Sequence, residues 1–245
     1  VVTTDARGNG RSDRPTDPGA YGFDHYHADF RAVLDAVGVD RVALVGISAA
    51  AMTVLRLAAE QPDRVTHVVV AGGFAETIVA DDEQARHLRA ELDRMRSDWP
   101  AYIEQFVSSL FTEPHSTKPF EDAVRYGWAT RAEVIANARA GWIGHDVREL
   151  ARQVRCPTLV IHGSEDRRVP YAKGLAIHEV VPGSRMLTVE GGGHVPAVRD
   201  QVPGEGQQVP RDSEVTVVVS RGPDLVAVPD VSGAADLAAL PELPR

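Results

Sequence analysis

Three residues of the kinds used in nucleophilic catalysis stand far apart in this sequence, each just after a short apolar run: Ser48, Asp166 and His194. A serine hydroxyl is a weak nucleophile until a base removes its proton. An imidazole does this near neutral pH, and a carboxylate fixes the imidazole tautomer. Each residue alone has an ordinary explanation, but the combination in the chain order Ser, Asp, His predicts catalysis. Ser48 is the predicted nucleophile, His194 the base and Asp166 the residue that orients the base.

The predicted nucleophile ends an apolar run. Residues 42–51 read VALVGISAAA, a strand pattern that turns straight into small residues suited to a helix. Such a strand–turn–helix elbow holds a serine hydroxyl clear of the backbone. The elbow pattern G-x-S-x-G is matched at Gly46 and Ser48, whereas Ala50 stands where the last glycine belongs.

The predicted acid and base follow two further strand patterns. Residues 157–163 read PTLVIHG and run into Asp166, and residues 186–189 lead to the glycine-rich turn that ends at His194. In an open parallel sheet, ligands bind at the carboxyl ends of the strands. We therefore expect the serine, the aspartate and the histidine to converge on one rim of the sheet.

Two neighbours of the predicted acid need their own interpretation. Glu165 precedes Asp166 in the same turn and is the alternative carboxylate. His162 lies within the preceding strand end, next to Gly163, and we interpret it as a structural neighbour.

Strand and helix patterns alternate along the part of the chain that must carry these residues. Runs rich in β-branched or other apolar residues at 1–4, 41–45 and 65–71 predict strands. Residues 23–37 repeat apolar side chains at helical spacing and predict a helix, and Asp24 is suited to capping its start. Strands that are apolar on both faces and alternate with helices indicate a buried parallel sheet. The predicted class is α/β, a mostly parallel sheet with flanking helices.

Residues 80–150 interrupt this alternation. Charges are dense there, strand patterns vanish, and aromatic residues occur among helix formers. A helical insertion packed over the sheet explains both features. The predicted organisation is a core of residues 1–79 and 151–200, a helical cap of residues 80–150, and a tail of residues 201–245.

Composition restricts the partners. The chain has 35 acidic and 26 basic residues and a formal net charge of −9, which would repel a phosphate backbone, so we expect no nucleic-acid partner. The single cysteine, Cys156, allows no internal disulfide and no cysteine-rich metal site. We expect no metal and no cofactor. No apolar run is long enough to span a bilayer, and the predicted location is cytoplasmic.

These motifs together resemble the α/β-hydrolase superfamily, in particular its esterase-like members, over about residues 1–200. Four segments carry the resemblance: the loop DARGNGRS at 5–12, the elbow at 46–50, the acid turn HGSED at 162–166 and the histidine turn GH at 193–194. The resemblance implies hydrolysis of a small or medium carboxylic ester through an acyl-enzyme. A carbon–carbon bond hydrolase or a perhydrolase would use the same three residues, and a non-catalytic binding protein is a further alternative.

The resemblance also implies an oxyanion hole, with one donor in the backbone N–H of Ala49 and a second in a loop after an earlier strand. That loop would precede Val1. Because the chain opens without methionine inside a predicted strand, we expect a truncated chain with strands upstream, where a signal peptide is the alternative to a cytoplasmic location. At Ala50 the family's glycine allows the helix to pass close to a strand, so we expect strain there.

Residues 201–245 resemble the end of one PASTA repeat and the start of another. These repeats are extracellular modules of bacterial serine/threonine kinases, associated with cell-wall peptides, so the resemblance implies contact with such peptides. A joining artefact and a disordered proline-rich tail are the alternatives.

Overall fold

A four-stranded parallel sheet forms the centre of the molecule, in the order β1-β2-β3-β4. The computed structural model describes residues 2–76, 81–112, 117–194, 198–202 and 216–219. The strands of the sheet are β1 Val42–Ile47, β2 Val65–Ala71, β3 Thr158–Gly163 and β4 Arg185–Val189. The helices are α1 Phe23–Ala36, α2 Ala50–Glu60, α3 Asp82–Ser97, α4 Trp99–Ser108, α5 Thr117–Trp128, α6 Ala132–Gly141, α7 Arg148–Ala151 and α8 Tyr171–Val180.

The predicted α/β class is confirmed, and the register of the strands places their ends on one rim. Ile47 of β1 lies opposite Ala71 of β2, Ala71 lies opposite Ile161 of β3, and Gly163 lies opposite Val189 of β4. The residues that follow β1, β3 and β4 therefore emerge side by side, which is the arrangement predicted for the polar residues.

The strand predicted at residues 1–4 is wrong for the residues described. Residues 2–6 have no regular structure, and Val2 is half exposed. A strand needs a neighbour for its backbone hydrogen bonds, and no described strand lies beside this segment. β1 is an edge strand among the described strands, with Val45 63% and Ile47 55% exposed.

The glycine-rich loop at 5–12 is held by its own polar side chains. The Arg7 guanidinium donates to both carboxylate oxygens of Asp29, at 2.6 and 2.7 Å. The Asp5 carboxylate accepts the N–H of Arg11 at 3.0 Å. Arg14 donates to the carbonyl of Ala129, beyond α5, at 3.1 Å. These contacts give the loop a structural role.

Helix α1 begins without the predicted side-chain cap. Its N-cap is Gly22, which makes no side-chain hydrogen bond, and Asp24 lies inside the first turn. Asp24 instead accepts from Arg56 of α2 at 2.5 Å. Aspartate at this position also favours the positive end of the helix dipole.

Two hydrophobic clusters hold the molecule together. The larger joins the sheet to α1, α2 and α8, while the smaller lies within α3–α6 and includes Met95, Tyr102, Ile103, Val107 and Ala136. The end of the segment predicted as a cap packs on the larger cluster: Trp142 lies edge-on to Phe23 with ring centroids 5.0 Å apart. Helix α7, in the segment that follows Trp142, contacts α2 and α8.

The described residues of the tail belong to an antiparallel pair, β5 Val198–Val202 with β6 Thr216–Val219, of which β5 begins three residues before the predicted start of the tail. The rest of the tail lies outside the described residues, so its PASTA resemblance remains a prediction. Nothing in the described pair supports contact with cell-wall peptides. Within the described part of the chain, no helix has the length and apolar character needed to cross a membrane.

Candidate active site

Ser48 occupies a sharp turn between β1 and α2. Its φ is 53°, and among the described residues it is the only non-glycine residue with a positive φ. Its N–H donates to the carbonyl of Ala71 at the end of β2, at 2.9 Å. A non-glycine residue in this region is held at a cost of about 1–3 kcal/mol, so the surrounding structure must fix it. This geometry presents the serine at the rim of the sheet.

Two glycines let α2 approach the sheet closely enough to form this turn. A Cβ at Gly46 would lie 2.6 Å from Cγ2 of Val54 and 2.9 Å from the carbonyl oxygen of Ala50. A Cβ at Gly73, beyond β2, would lie 2.4 Å from Cβ of Ala51, which is fully buried. The close contacts of the elbow therefore involve Gly46 and Ala51.

The backbone N–H of Ala49 is available at the start of α2. Among the described residues it donates to no protein acceptor, whereas the N–H groups of Ala51 and Met52 bond to the carbonyls of Ser48 and Ala49. Free N–H groups at a helix start attract negative charge. Ala49 can thus offer a donor to an anion formed next to Ser48.

Asp166 is buried in the turn after β3, with every oxygen engaged. Oδ1 accepts the N–H groups of Arg168 and Val169, each at 2.8 Å, and Oδ2 lies 2.7 Å from Nδ1 of His194. Burial raises the pKa of Asp166, but hydrogen bonds from two histidines and from Val169 outweigh it and hold the pKa below its usual range. The carboxylate is therefore ionised at neutral pH.

His194 is buried at the same rim, 5% exposed. Because its Nδ1 faces an ionised carboxylate, the neutral form of the ring carries its proton on Nδ1 and its lone pair on Nε2. A Cβ at Gly72 would lie 3.2 Å from Nδ1 of His194, and one at Gly73 would lie 3.3 Å from the carbonyl oxygen of Ser48. The serine and the histidine thus contact the same two-residue turn after β2.

The site thus consists of a buried aspartate–histidine pair and a serine elbow at the same rim of a parallel sheet. A family model described as the alpha/beta hydrolase fold matches residues 1–199. The chain belongs to the alpha/beta hydrolase fold family.

Its relatives include enzymes with different reactions. A pimeloyl-[acyl-carrier protein] methyl ester esterase from Neisseria meningitidis serogroup C is 29% identical over 182 residues, covering 69% of each protein. A 2-hydroxy-6-oxo-2,4-heptadienoate hydrolase from Pseudomonas putida is 27% identical over 208 residues, covering 79% of this chain and 71% of the relative. Among solved structures, an esterase from Exiguobacterium antarcticum shares the fold with a TM-score of 0.70 and 22% identity, covering 77% of this chain and 72% of that one. This alpha/beta hydrolase is an enzyme of the hydrolase class.

The alternative acid does not reach the histidine of this alpha/beta hydrolase. Glu165 is exposed, and its backbone N–H donates to the carbonyl of Gly192 at 3.0 Å. Asp166 is the carboxylate that the structure brings to His194.

The strain expected at Ala50 is not present in this alpha/beta hydrolase. Ala50 is exposed, so its methyl group meets solvent. The side chain that approaches the sheet is that of Ala51, one position later, whereas Ala50 approaches β1 with its backbone carbonyl.

His162, interpreted from the sequence as a structural neighbour, contacts the acid of this alpha/beta hydrolase. Nε2 of His162, a residue 1% exposed, lies 2.9 Å from the carbonyl of Val169 and 3.3 Å from Oδ2 of Asp166. Because both neighbours are acceptors, Nε2 must carry a proton. The four-residue spacing from His162 to Asp166 across a tight turn was the signal in the sequence.

The loop after α4 closes over the histidine turn of this alpha/beta hydrolase. Oγ1 of Thr112 donates to the carbonyl of Gly191 at 3.1 Å, and a Cβ at Gly193 would lie 2.9 Å from the carbonyl oxygen of Leu110.

Among the described residues, no cluster of three or more histidine, cysteine, aspartate or glutamate side chains could hold a metal ion.

Proposed function

We propose that this protein hydrolyses a small or medium carboxylic ester through an acyl-enzyme on Ser48. The 2.7 Å contact between Asp166 and His194, buried at the rim that carries the serine elbow, is the observation on which the proposal rests. Nδ1 of His194 faces the carboxylate, so Nε2 lies on the other side of the ring. In the neutral imidazole Nε2 then has the lone pair that a general base needs.

In the first half of the proposed reaction, Oγ of Ser48 attacks the ester carbonyl carbon while Nε2 of His194 takes its proton. The carbonyl oxygen becomes an oxyanion, which accepts the N–H of Ala49. The oxyanion then reforms the carbonyl, and the carbon–oxygen bond to the leaving group breaks. The imidazolium gives its proton to the oxygen of the leaving group, so an alcohol departs and an acyl-serine remains.

In the second half, water attacks the acyl carbon and Nε2 of His194 takes its proton. The second oxyanion accepts the N–H of Ala49 as the first does. The bond from the acyl carbon to Oγ of Ser48 breaks as the imidazolium returns the proton to Oγ. The products are a carboxylic acid and the free enzyme. Asp166 stays ionised and stabilises the imidazolium in both halves.

We further propose that residues 80–150 act as a cap that selects the substrate. The contact of Thr112 with Gly191 supports this, because it joins the loop after α4 to the glycine-rich turn that ends at His194. The esterase relative supports an ester substrate, and the heptadienoate hydrolase relative supports carbon–carbon bond hydrolysis as the second candidate.

Turnover of p-nitrophenyl acetate and p-nitrophenyl butyrate by the full-length protein tests the proposal. Ser48→Ala should lower kcat by at least about a thousandfold. Ser97→Ala is the matched control, since Ser97 is exposed and its hydroxyl donates to the carbonyl of Arg94. Unchanged ester turnover in Ser48→Ala would refute an acyl-serine. Turnover of a 2-hydroxy-6-oxo-dienoate, with none of the esters, would favour the second candidate.

A further inference from the structure

Arg168 touches the acid of the site with its backbone and the α3–α6 helices with its side chain. Its N–H donates to Oδ1 of Asp166 at 2.8 Å. Its guanidinium lies 3.2 Å from Oε1 of Glu91 on α3 and 4.8 Å from the ring centre of Phe106 on α4. One residue therefore joins the acid turn to two helices outside the sheet.

Glu91 is the centre of this junction and is itself well held. Its Oε2 lies 2.6 Å from Nη1 of Arg139 on α6, and its Oε1 accepts the hydroxyl of Tyr102 at 2.7 Å. The side chain of Glu91 is 19% exposed and that of Arg168 is 27% exposed. Charged contacts shielded to this degree are stronger than those of surface ion pairs, because water screens them less.

The ring of Phe106 holds the Arg168 guanidinium in place beside Glu91. A guanidinium over an aromatic face gains cation–π attraction, which adds to the ion pair with Glu91. Phe106 also belongs to the helix whose following loop contacts the histidine turn through Thr112. Helix α4 and the loop after it thus contact both the turn that carries Asp166 and the turn that leads to His194.

We propose that Arg168 is a positioning residue that couples the placement of α3 and α4 to the Asp166–His194 pair. This inference rests on the function proposed above. Its physical basis is that Asp166 is held at Oδ1 by two N–H groups, one of them from Arg168, so any shift of that backbone changes the contact of Oδ2 with His194. Misplacement by about 1 Å can cost about a hundredfold in rate, so smaller shifts have measurable effects.

Substitution of two adjacent arginines tests the coupling. Arg168→Met removes the contacts with Glu91 and Phe106, whereas Arg167→Met alters an exposed side chain one residue nearer to Asp166. We expect Arg168→Met to lower kcat for p-nitrophenyl butyrate about tenfold, with KM within about twofold, and Arg167→Met to match the wild type. Arg168→Lys, which keeps the charge but not the planar stack, should recover part of kcat.

The coupling is refuted if Arg168→Met and Arg167→Met have the same kcat. It is also refuted if Arg168→Met changes KM alone, because Arg168 would then be contacting substrate in the 170 Å³ cavity that it lines with Tyr102 and Ser109. If Arg168→Met fails to fold, Phe106→Leu removes the stack alone and should lower kcat in the same direction.

The proton on Nδ1 of His194 gives a readout that does not depend on turnover. Its downfield NMR resonance, assigned by its loss in His194→Gln, should shift or broaden in Arg168→Met and stay unchanged in Arg167→Met. An unchanged resonance in Arg168→Met refutes the coupling while leaving the role of Ser48 intact. Retained activity in Ser48→Ala refutes the acyl-serine, and the NMR result still decides the role of Arg168.

Discussion

At the scale of single residues, the Asp166 carboxylate is the most constrained group of the site. Its side chain is 0% exposed, and two histidines and two backbone N–H groups surround it. An ionised carboxylate is stable in such a place only because its oxygens are all engaged. Removing one of these donors therefore affects both the stability of the fold and the orientation of His194.

His162→Phe tests this dependence. The pKa of Asp166 lies below its usual range in the folded state, so the pair contributes stability above pH about 4 that is lost as the pH falls further. Without His162, we expect the free energy of unfolding at pH 7 to fall by about 1–3 kcal/mol, and its loss on acidification to become smaller. Urea titrations between pH 7 and pH 3 measure both effects, with His25→Phe at an exposed site as control.

If His162→Phe and His25→Phe gave the same unfolding free energies at every pH, His162 would not stabilise the carboxylate. Its 3.3 Å approach to Asp166 would then have no energetic consequence.

At the scale of elements, the start of α2 and the ends of the strands position the site. Only two residues, Ser48 and Ala49, separate β1 from α2, and this short connection forces the positive φ of Ser48. Gly46 permits the close approach on one side of the turn. The position of the serine is thus a property of how closely a helix packs on a sheet.

Gly46→Ala should disturb that packing. The added methyl group would meet Val54 at 2.6 Å and the backbone oxygen of Ala50 at 2.9 Å, and a backbone atom cannot yield by rotating. We expect a loss of about 1–3 kcal/mol in unfolding free energy and a lower kcat, because the helix must move away from β1. Gly22→Ala is the control, since its nearest neighbours would be 3.9 Å away.

Thermal unfolding and ester turnover of the two glycine variants give the comparison. Equal stability and equal kcat in both would show that α2 can shift without disturbing Ser48.

The elements were predictable from the sequence where a local pattern determines them. Residues 65–71 are apolar on both faces and form β2 as predicted, and Pro62 marks the end of α2. Residues 1–4 carry an equally good strand pattern, but pairing depends on a neighbour that no local pattern supplies. The contact of Ala51 with Gly73 also depends on packing between separate elements, so no local pattern predicts it.

At the scale of the whole molecule, a sheet with its own core carries the site, and helices with a second core lie against it. Glu91 lies where these two parts meet. Burial raises the pKa of Glu91, but the hydrogen bond from Arg139, the charges of Arg139 and Arg168 and the hydroxyl of Tyr102 lower it to about 2. The ionised carboxylate therefore stabilises the contact between α3, α6 and the acid turn.

This contact should weaken in acid. Since the pKa of Glu91 is lower in the folded state than the usual value of about 4.3, its contribution is complete above pH about 5 and is lost as the pH falls toward 2. We expect Glu91→Gln to lower the unfolding free energy at pH 7 by about 1–3 kcal/mol and to flatten its decline between pH 5 and pH 3. Glu104→Gln, at an exposed position on α4, serves as control.

Chemical denaturation of the three proteins over that pH range measures the difference. A decline as steep in Glu91→Gln as in the wild type would place the acid sensitivity elsewhere in the molecule.

Reaction with a fluorophosphonate probe tests the central claim most directly, because the probe forms a covalent bond only with an activated serine. We predict a single adduct on Ser48 in peptide mass spectra of the full-length protein, no adduct in Ser48→Ala, and labelling at least about a hundredfold slower in His194→Gln and Asp166→Asn. Labelling at another residue, or equal labelling rates in these variants and the wild type, would contradict the proposed roles of Ser48, Asp166 and His194.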